Sequence, residues 1–291
     1  MAPTRFNLPA MDGVMLAAHC FEPIQPLRAG VVIAPAMAVA QSFYATFALW
    51  LAKQGYRVWT FDYRGIGLSA NGAMRNCQAD ISTWVTQDYD AVIRHAVGTL
   101  GGLPLFVLGH SLGGQTAPLL PSQASLAGLV NIAVGSGAMR HNQPAVRRRA
   151  PLLWYVLAPL LSAVFGYFPG NRIGMLADIP RKVLAQWRRW CLSPEYLLSG
   201  EPGARAAYAR ARYPVLGLTF ADDELLLESG SRMLHDAYTG TRVDYRELAP
   251  TQFNLPRIGH FGFFKSSMDR SLWPLVSGWL AQRCVALANP A

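Results

Sequence analysis

Gly109-His-Ser-Leu-Gly113 sets a serine between two glycines, directly after the apolar run 105–108 and before a stretch that can open a helix. A serine forced into a sharp strand-to-helix turn is lifted above the sheet edge, and a Cβ two residues to either side would clash. The spacing therefore marks Ser111 as a candidate nucleophile. The N–H of Leu112 would face the place where an oxyanion forms. A serine hydroxyl is a weak nucleophile and needs a base, which in turn needs an orienting acid. His260, in the glycine- and aromatic-rich segment Arg257-Ile-Gly-His-Phe-Gly-Phe-Phe264, is the best base. His235 competes, but its helical pattern predicts a solvent-facing ring, and His110 is expected to point away from Ser111. The acid is expected in a turn after a strand and before His260. Leu218-Thr-Phe-Ala-Asp-Asp-Glu224 satisfies that, and spacing alone leaves Asp222 and Asp223 both open. Either could instead cap the following helix.

The elements that must position these residues alternate. Strands are predicted over 5–8, 14–21, 30–34, 56–61, 105–108, 128–133, 215–220 and 243–248. Helices are predicted over 43–54 with Ser42 as N-cap, then 80–97, 115–123, 228–238 and 272–287. This spacing implies an α/β chain: a mostly parallel eight-stranded sheet covered by helices on both faces. Residues 137–212 break the alternation and read as a helical cap inserted into a core of residues 1–136 and 213–291.

The sequence resembles the α/β-hydrolase superfamily over nearly its whole length, and within it the monoacylglycerol-lipase-like and lysophospholipase-like serine hydrolases. Gly109-His-Ser-Leu-Gly-Gly114, Asp62-Tyr-Arg-Gly-Ile-Gly-Leu-Ser69 and Gly259-His-Phe-Gly262 carry the resemblance. It implies the α/β-hydrolase fold and the chain order serine, acid, histidine. It also implies an acid three residues after a strand-ending glycine. Phe220 stands at that glycine's place, which points to Asp223, with Asp222 as the alternative. The second oxyanion donor maps to the N–H of Met37, although Pro35-Ala36 replaces the usual His-Gly. The Asp62–Ser69 segment reads as structural, with Arg64 tying loops together.

Together these residues imply carboxylic ester hydrolysis through an acyl-enzyme on Ser111. Acyl transfer or thioester cleavage would use the same groups, and a non-catalytic, membrane-associated scaffold would use none of them. No metal or organic cofactor is implied. Residues 151–168 form an 18-residue run without a charge, long enough to raise a membrane span. Pro159 is expected to break it, which favours a helix pair over the site. Trp154, Tyr155, Leu160, Leu161 and Phe165 are then expected to line a pocket for a medium or long acyl group.

The 291 residues carry a formal charge of +9, mostly from Arg, with 52% hydrophobic and 15% charged residues. Disorder is excluded. No zinc-finger spacing, basic heptad or aromatic RNA-binding motif accompanies the charge, so nucleic acid is not an expected partner. Arg clusters at 147–149 and 188–189 flank the apolar run, and allow either a solvated cap face or contact with a membrane surface. Four widely spaced cysteines suggest free thiols in a reducing compartment. The first residues lack a signal-peptide h-region, so a cytoplasmic protein is expected.

Overall fold

The computed structural model describes residues 2–175 and 177–289. Eight strands form one sheet: β1 Thr4–Pro9, β2 Met15–Phe21, β3 Ala29–Ala34, β4 Tyr56–Phe61, β5 Leu105–His110, β6 Gly128–Ile132, β9 Val215–Phe220 and β10 Val243–Leu248. A two-strand pair, β7 Tyr167–Phe168 and β8 Ile179–Pro180, lies apart from it. The sheet order is β1-β2-β4-β3-β5-β6-β9-β10. Only the pairings of β2 with β1 and with β4 are antiparallel. β3, β5, β6 and β9 are buried along their whole length, and their Val/Ile/Leu-rich sequences suit strands covered on both faces. β10 ends the sheet with Asp244, Arg246 and Glu247, charges that blunt a free edge. Two apolar clusters cover the two faces. This is the α/β-hydrolase fold.

Helix α1 spans Ala45–Lys53, and Ser42 does not cap it. The chain enters through a 3-10 turn at Gln41–Tyr44, because Asp62 holds the Gln41 amide at 2.7 Å. α2 Ile81–Thr83 runs through a wider π stretch into α3 Asp90–Thr99, and Asp80 caps its start by accepting from Thr83 N–H at 2.7 Å. α4 Leu112–Thr116 follows the serine turn and gives way to a short 3-10 turn, where Pro118 cannot continue the α pattern.

Between β6 and β9 lie α5 Pro144–Leu152, α6 Ala158–Phe165, α7 Arg181–Leu192, α8 Leu197–Gly200 and α9 Ala204–Arg210. Pro159 does not break the charge-free run, contrary to expectation. It sits in the first turn of α6, and a π stretch at Leu153–Leu157 joins α5 to α6 without a gap. A widened turn tolerates the missing proline N–H. Gly166, at φ 79°, then ends the helix. No helix among the described residues is long and apolar enough to cross a membrane. The segment is tied to α4 through Gln115, whose Oε1 accepts from Tyr196 at 3.0 Å and whose carbonyl accepts from Tyr208 at 2.6 Å. α10 Glu228–His235, α11 Gly259–Gly262 and α12 Trp273–Ala288 complete the chain.

Candidate active site

β3 and β5 lie side by side with Ala34 opposite Gly109, so the chain leaves the sheet at two adjacent points of its carboxyl edge. One exit leads on to β4 and the other continues toward β6. That is the switch point at which open α/β sheets hold ligands. Ser111 sits there at φ 48°, ψ −114°, a strained conformation for a residue with a Cβ. The glycines make it possible. A Cβ on Gly109 would collide with the backbone of Gly114, and one on Gly113 with the carbonyl of Ala34. The Ser111 N–H donates to Ile132 O at 3.0 Å, which pins the turn to β6.

His260 is gripped on every polar atom but one. Its Nδ1–H donates to Asp223 Oδ2 at 2.7 Å, and its N–H to Glu224 Oε2 at 2.9 Å. Its carbonyl accepts from His110 Nε2 at 3.0 Å. A carboxylate can only accept, so Nδ1 carries the ring hydrogen and Nε2 is left bare. Asp223 is itself held, because its Oδ1 accepts from Leu225 N and Leu226 N at 2.8 and 3.0 Å. Asp222 does not touch the ring. It accepts from the Ile258 and Gly259 amides at 2.8 and 3.0 Å and so fixes the loop that carries His260. Ser111 and His260 open onto one cavity of about 540 Å³, with Leu112 and Met37 beside them. The amides of Leu112 and Met37 enter no hydrogen bond among the described residues.

Residues 25–184, more than half of the chain, match the serine aminopeptidase S33 family of hydrolases. The chain belongs to this family. No curated protein sequence matches it. Among solved structures it is similar to a soluble variant of monoglyceride lipase from Saccharomyces cerevisiae, bound to a substrate analogue. The TM-score is 0.69 at 16% identity, covering 97% of this chain and 95% of that one. It is also similar to a thermostable carboxyl esterase from Bacillus coagulans bound to glycerol (TM-score 0.65, 12% identity, 98% and 99% covered). A third is an esterase from Pyrococcus furiosus (TM-score 0.63, 12% identity, 97% and 90% covered). At such identities the likeness is one of fold.

The cavity wall of this S33-family chain differs from the expected one. Of the five apolar residues expected there, only Trp154 lines it. Tyr155 and Leu160 are more than half exposed, while Leu161 and Phe165 are partly buried away from the cavity. Helical geometry explains the difference: Trp154, Ala158 and Ser162, four residues apart, form the buried face. Leu152, Tyr155, Val156, Leu160 and Val164 turn outward. The apolar lining comes instead from Leu153, Met175, Trp187, Leu225 and Leu226, beside the polar Gln115, Asn142 and Tyr196. Gln115 and Tyr196 carried no motif that could have marked them. Glu224 stands beside the expected acid pair, and its role was legible only as part of that acidic run.

His235 does not face solvent, contrary to expectation. It is buried over Gly217, where a Cβ would strike its ring, and it bonds Ser231 O and Asn131. Burial depresses its pKa to about 4. Arg64 ties three segments as expected, reaching Asp12 at 2.6 Å and Asp88 at 2.7 Å. Burial raises the Asp88 pKa to about 6, against the pull of Arg64.

Proposed function

We propose that this chain is a serine hydrolase that cleaves carboxylic esters with medium or long apolar acyl groups. The observation that carries the proposal is the 2.7 Å bond that the buried His260 donates from Nδ1 to Asp223, leaving a free Nε2 in a largely apolar cavity shared with the strained Ser111. Ser111 Oγ attacks the acyl carbonyl while His260 Nε2 takes its proton. Asp223 holds the ring in the required tautomer and stabilises the imidazolium that forms. The amides of Leu112 and Met37 donate to the oxyanion. The alcohol leaves with the proton from Nε2. Water, with His260 again as base, then returns the acid and free Ser111. Residues 137–212 act as the cap that encloses the acyl chain.

An ester is favoured over a peptide with a free N-terminus by the charges at the cavity. Glu224 is the carboxylate among its described lining residues, and the His260 amide and Arg257 already hold it. Arg149 opens onto the same space. The cap also presents an apolar stripe of Leu152, Tyr155, Val156, Leu160 and Val164 to solvent, with Arg147 and Arg148 one turn away. Residues 137–175 contain no Asp or Glu. That combination supports contact with an anionic lipid surface. Four unpaired cysteines support a reducing, cytoplasmic location.

The test is hydrolysis of p-nitrophenyl esters of increasing chain length by the wild type and Ser111→Ala. Each methylene buried gains about 0.8 kcal/mol, roughly a fourfold rise in kcat/KM until the cavity is full. A series that peaks at acetate, or full activity in folded Ser111→Ala, overturns the reading.

A further inference from the structure

His110 is a fully buried titratable side chain that takes no part in the reaction steps above. It packs against His260, Phe261 and Phe264 at ring-centroid distances of 5.4, 5.4 and 4.9 Å. The hydrogens in its bonds can be assigned one by one. The His260 carbonyl can only accept, so His110 Nε2 carries the hydrogen of that 3.0 Å bond. Burial, with His260 close by, depresses the ring's pKa far below its ordinary value, so the ring is neutral and Nδ1 is a bare acceptor. The Tyr44 hydroxyl lies 2.9 Å from Nδ1 and therefore donates to it. The same hydroxyl oxygen accepts the Ala36 N–H at 2.9 Å. One directed chain results: Ala36 N–H to Tyr44 O–H, Tyr44 to His110, and His110 to the His260 carbonyl.

Each end of that chain, and its middle, lies at most one residue from a reacting group. Ala36 precedes Met37, His110 precedes Ser111, and the last acceptor belongs to His260 itself. The three segments leave the fold at different places: the loop after β3, the end of β5, and α11. We propose that Tyr44 and His110 are positioning residues that set the spacing of oxyanion amide, nucleophile and base through this chain. The inference rests on the proposed serine mechanism. Packing alone would not need the hydroxyl, because a phenylalanine at 44 could keep the ring contacts to Phe43 and Phe264. Without the hydroxyl, the Ala36 N–H and His110 Nδ1 both lose their partners in a site closed to water.

Tyr44→Phe tests this, with active sites counted by a fluorophosphonate that labels Ser111, so that kcat is expressed per competent site. A displacement near 1 Å costs on the order of 100-fold. The expected result is a fall in per-site kcat of about 10- to 100-fold with little change in KM. Affinity for a trifluoromethyl ketone should fall in step, while affinity for the product fatty acid should hold. A purely structural role would lower the number of competent sites and leave per-site kcat alone. Per-site kcat within about twofold of wild type overturns the proposal. Nitrogen-15 NMR of wild-type histidines gives a second reading that does not depend on the variant folding. His110 should be the neutral Nε2–H tautomer throughout roughly pH 5 to 9. An Nδ1–H tautomer, or a ring that titrates in that range, overturns the chain as assigned. Absence of esterase activity in the wild type would sink the functional reading instead, and the NMR result would still decide the chain.

Discussion

Three consecutive carboxylates hold the His260 segment by different atoms, and replacing each by its amide should give three unlike results. In Asp223→Asn the side-chain oxygen can still accept from Leu225 and Leu226, now 2.8 and 3.0 Å away. The turn is thereby kept. The amide NH₂ then faces His260 Nδ1, 2.7 Å from the present Oδ2. That nitrogen must shed its hydrogen, the ring hydrogen moves to Nε2, and the base is lost. A wrong tautomer in an intact site costs on the order of 10⁴ in kcat, about 5 kcal/mol. In Asp222→Asn one of the two amides, of Ile258 or Gly259, loses its acceptor. That should cost about 1–3 kcal/mol of stability and shift the loop, with a loss of roughly tenfold in kcat. Glu224→Gln retains an oxygen that can meet the His260 amide and gives up an exposed pair with Arg257, so kcat should change by only about twofold. The assay is per-site kcat on one p-nitrophenyl ester, with folding checked by circular dichroism. A loss in Asp222→Asn equal to or greater than that in Asp223→Asn would refute the reasoning.

Acid should destabilise the fold through His235. Its folded pKa of about 4 lies below the ordinary 6.5, so between those values the unfolded chain binds the proton and the folded chain does not. Stability from this group is complete above pH 6.5 and falls by about 1.4 kcal/mol per pH unit below it, roughly 3 kcal/mol in all by pH 4. Urea unfolding at neutral and acid pH should show that loss, and His235→Gln should flatten it. An unchanged pH slope in the variant would count against the buried neutral ring. Trp154→Ala enlarges the cavity wall and should move the preferred ester to a longer chain, read from the kcat/KM series, whereas Leu160→Ala on the outer face should leave it unmoved. Binding to phosphatidylglycerol-containing vesicles should weaken with salt and fall in a Leu160→Ser, Val164→Ser double variant whose activity on a soluble ester is kept. Equal sedimentation of wild type and variant with those vesicles would remove the lipid-surface reading.

Much of this architecture is legible in the sequence because its signals are local. Tyr56–Phe61, Val215–Phe220 and Val243–Leu248 form strands over the spans that their apolar runs and flanking turns predict. The serine turn is legible because its glycines answer to a steric need that structure and sequence share. What failed to show depends on distant partners. Ser42 is a good cap by type, but the Gln41–Asp62 bond settles where that helix begins. His235 is polar in a helical pattern, yet Gly217 on another element leaves the space that encloses it. The run at 151–168 has no charge to mark an outer face, so its sequence gives no sign that its larger residues turn outward. Residue type leaves Asp222 and Asp223 equal; the family spacing from Phe220 points to Asp223, and the structure puts Asp223 on the His260 ring and Asp222 on the Ile258 and Gly259 amides.

The central claim is that Ser111 carries the acyl group between the two half-reactions. The most direct measurement is acid quenching of the enzyme during steady-state turnover of a p-nitrophenyl ester, followed by peptide mass spectrometry. The account predicts an acyl adduct on the peptide containing Ser111, at Ser111 itself, absent in Ser111→Ala and accumulating further in Asp223→Asn only if deacylation slows more than acylation. An adduct on another residue, or ester turnover by folded Ser111→Ala at the wild-type rate, would contradict it.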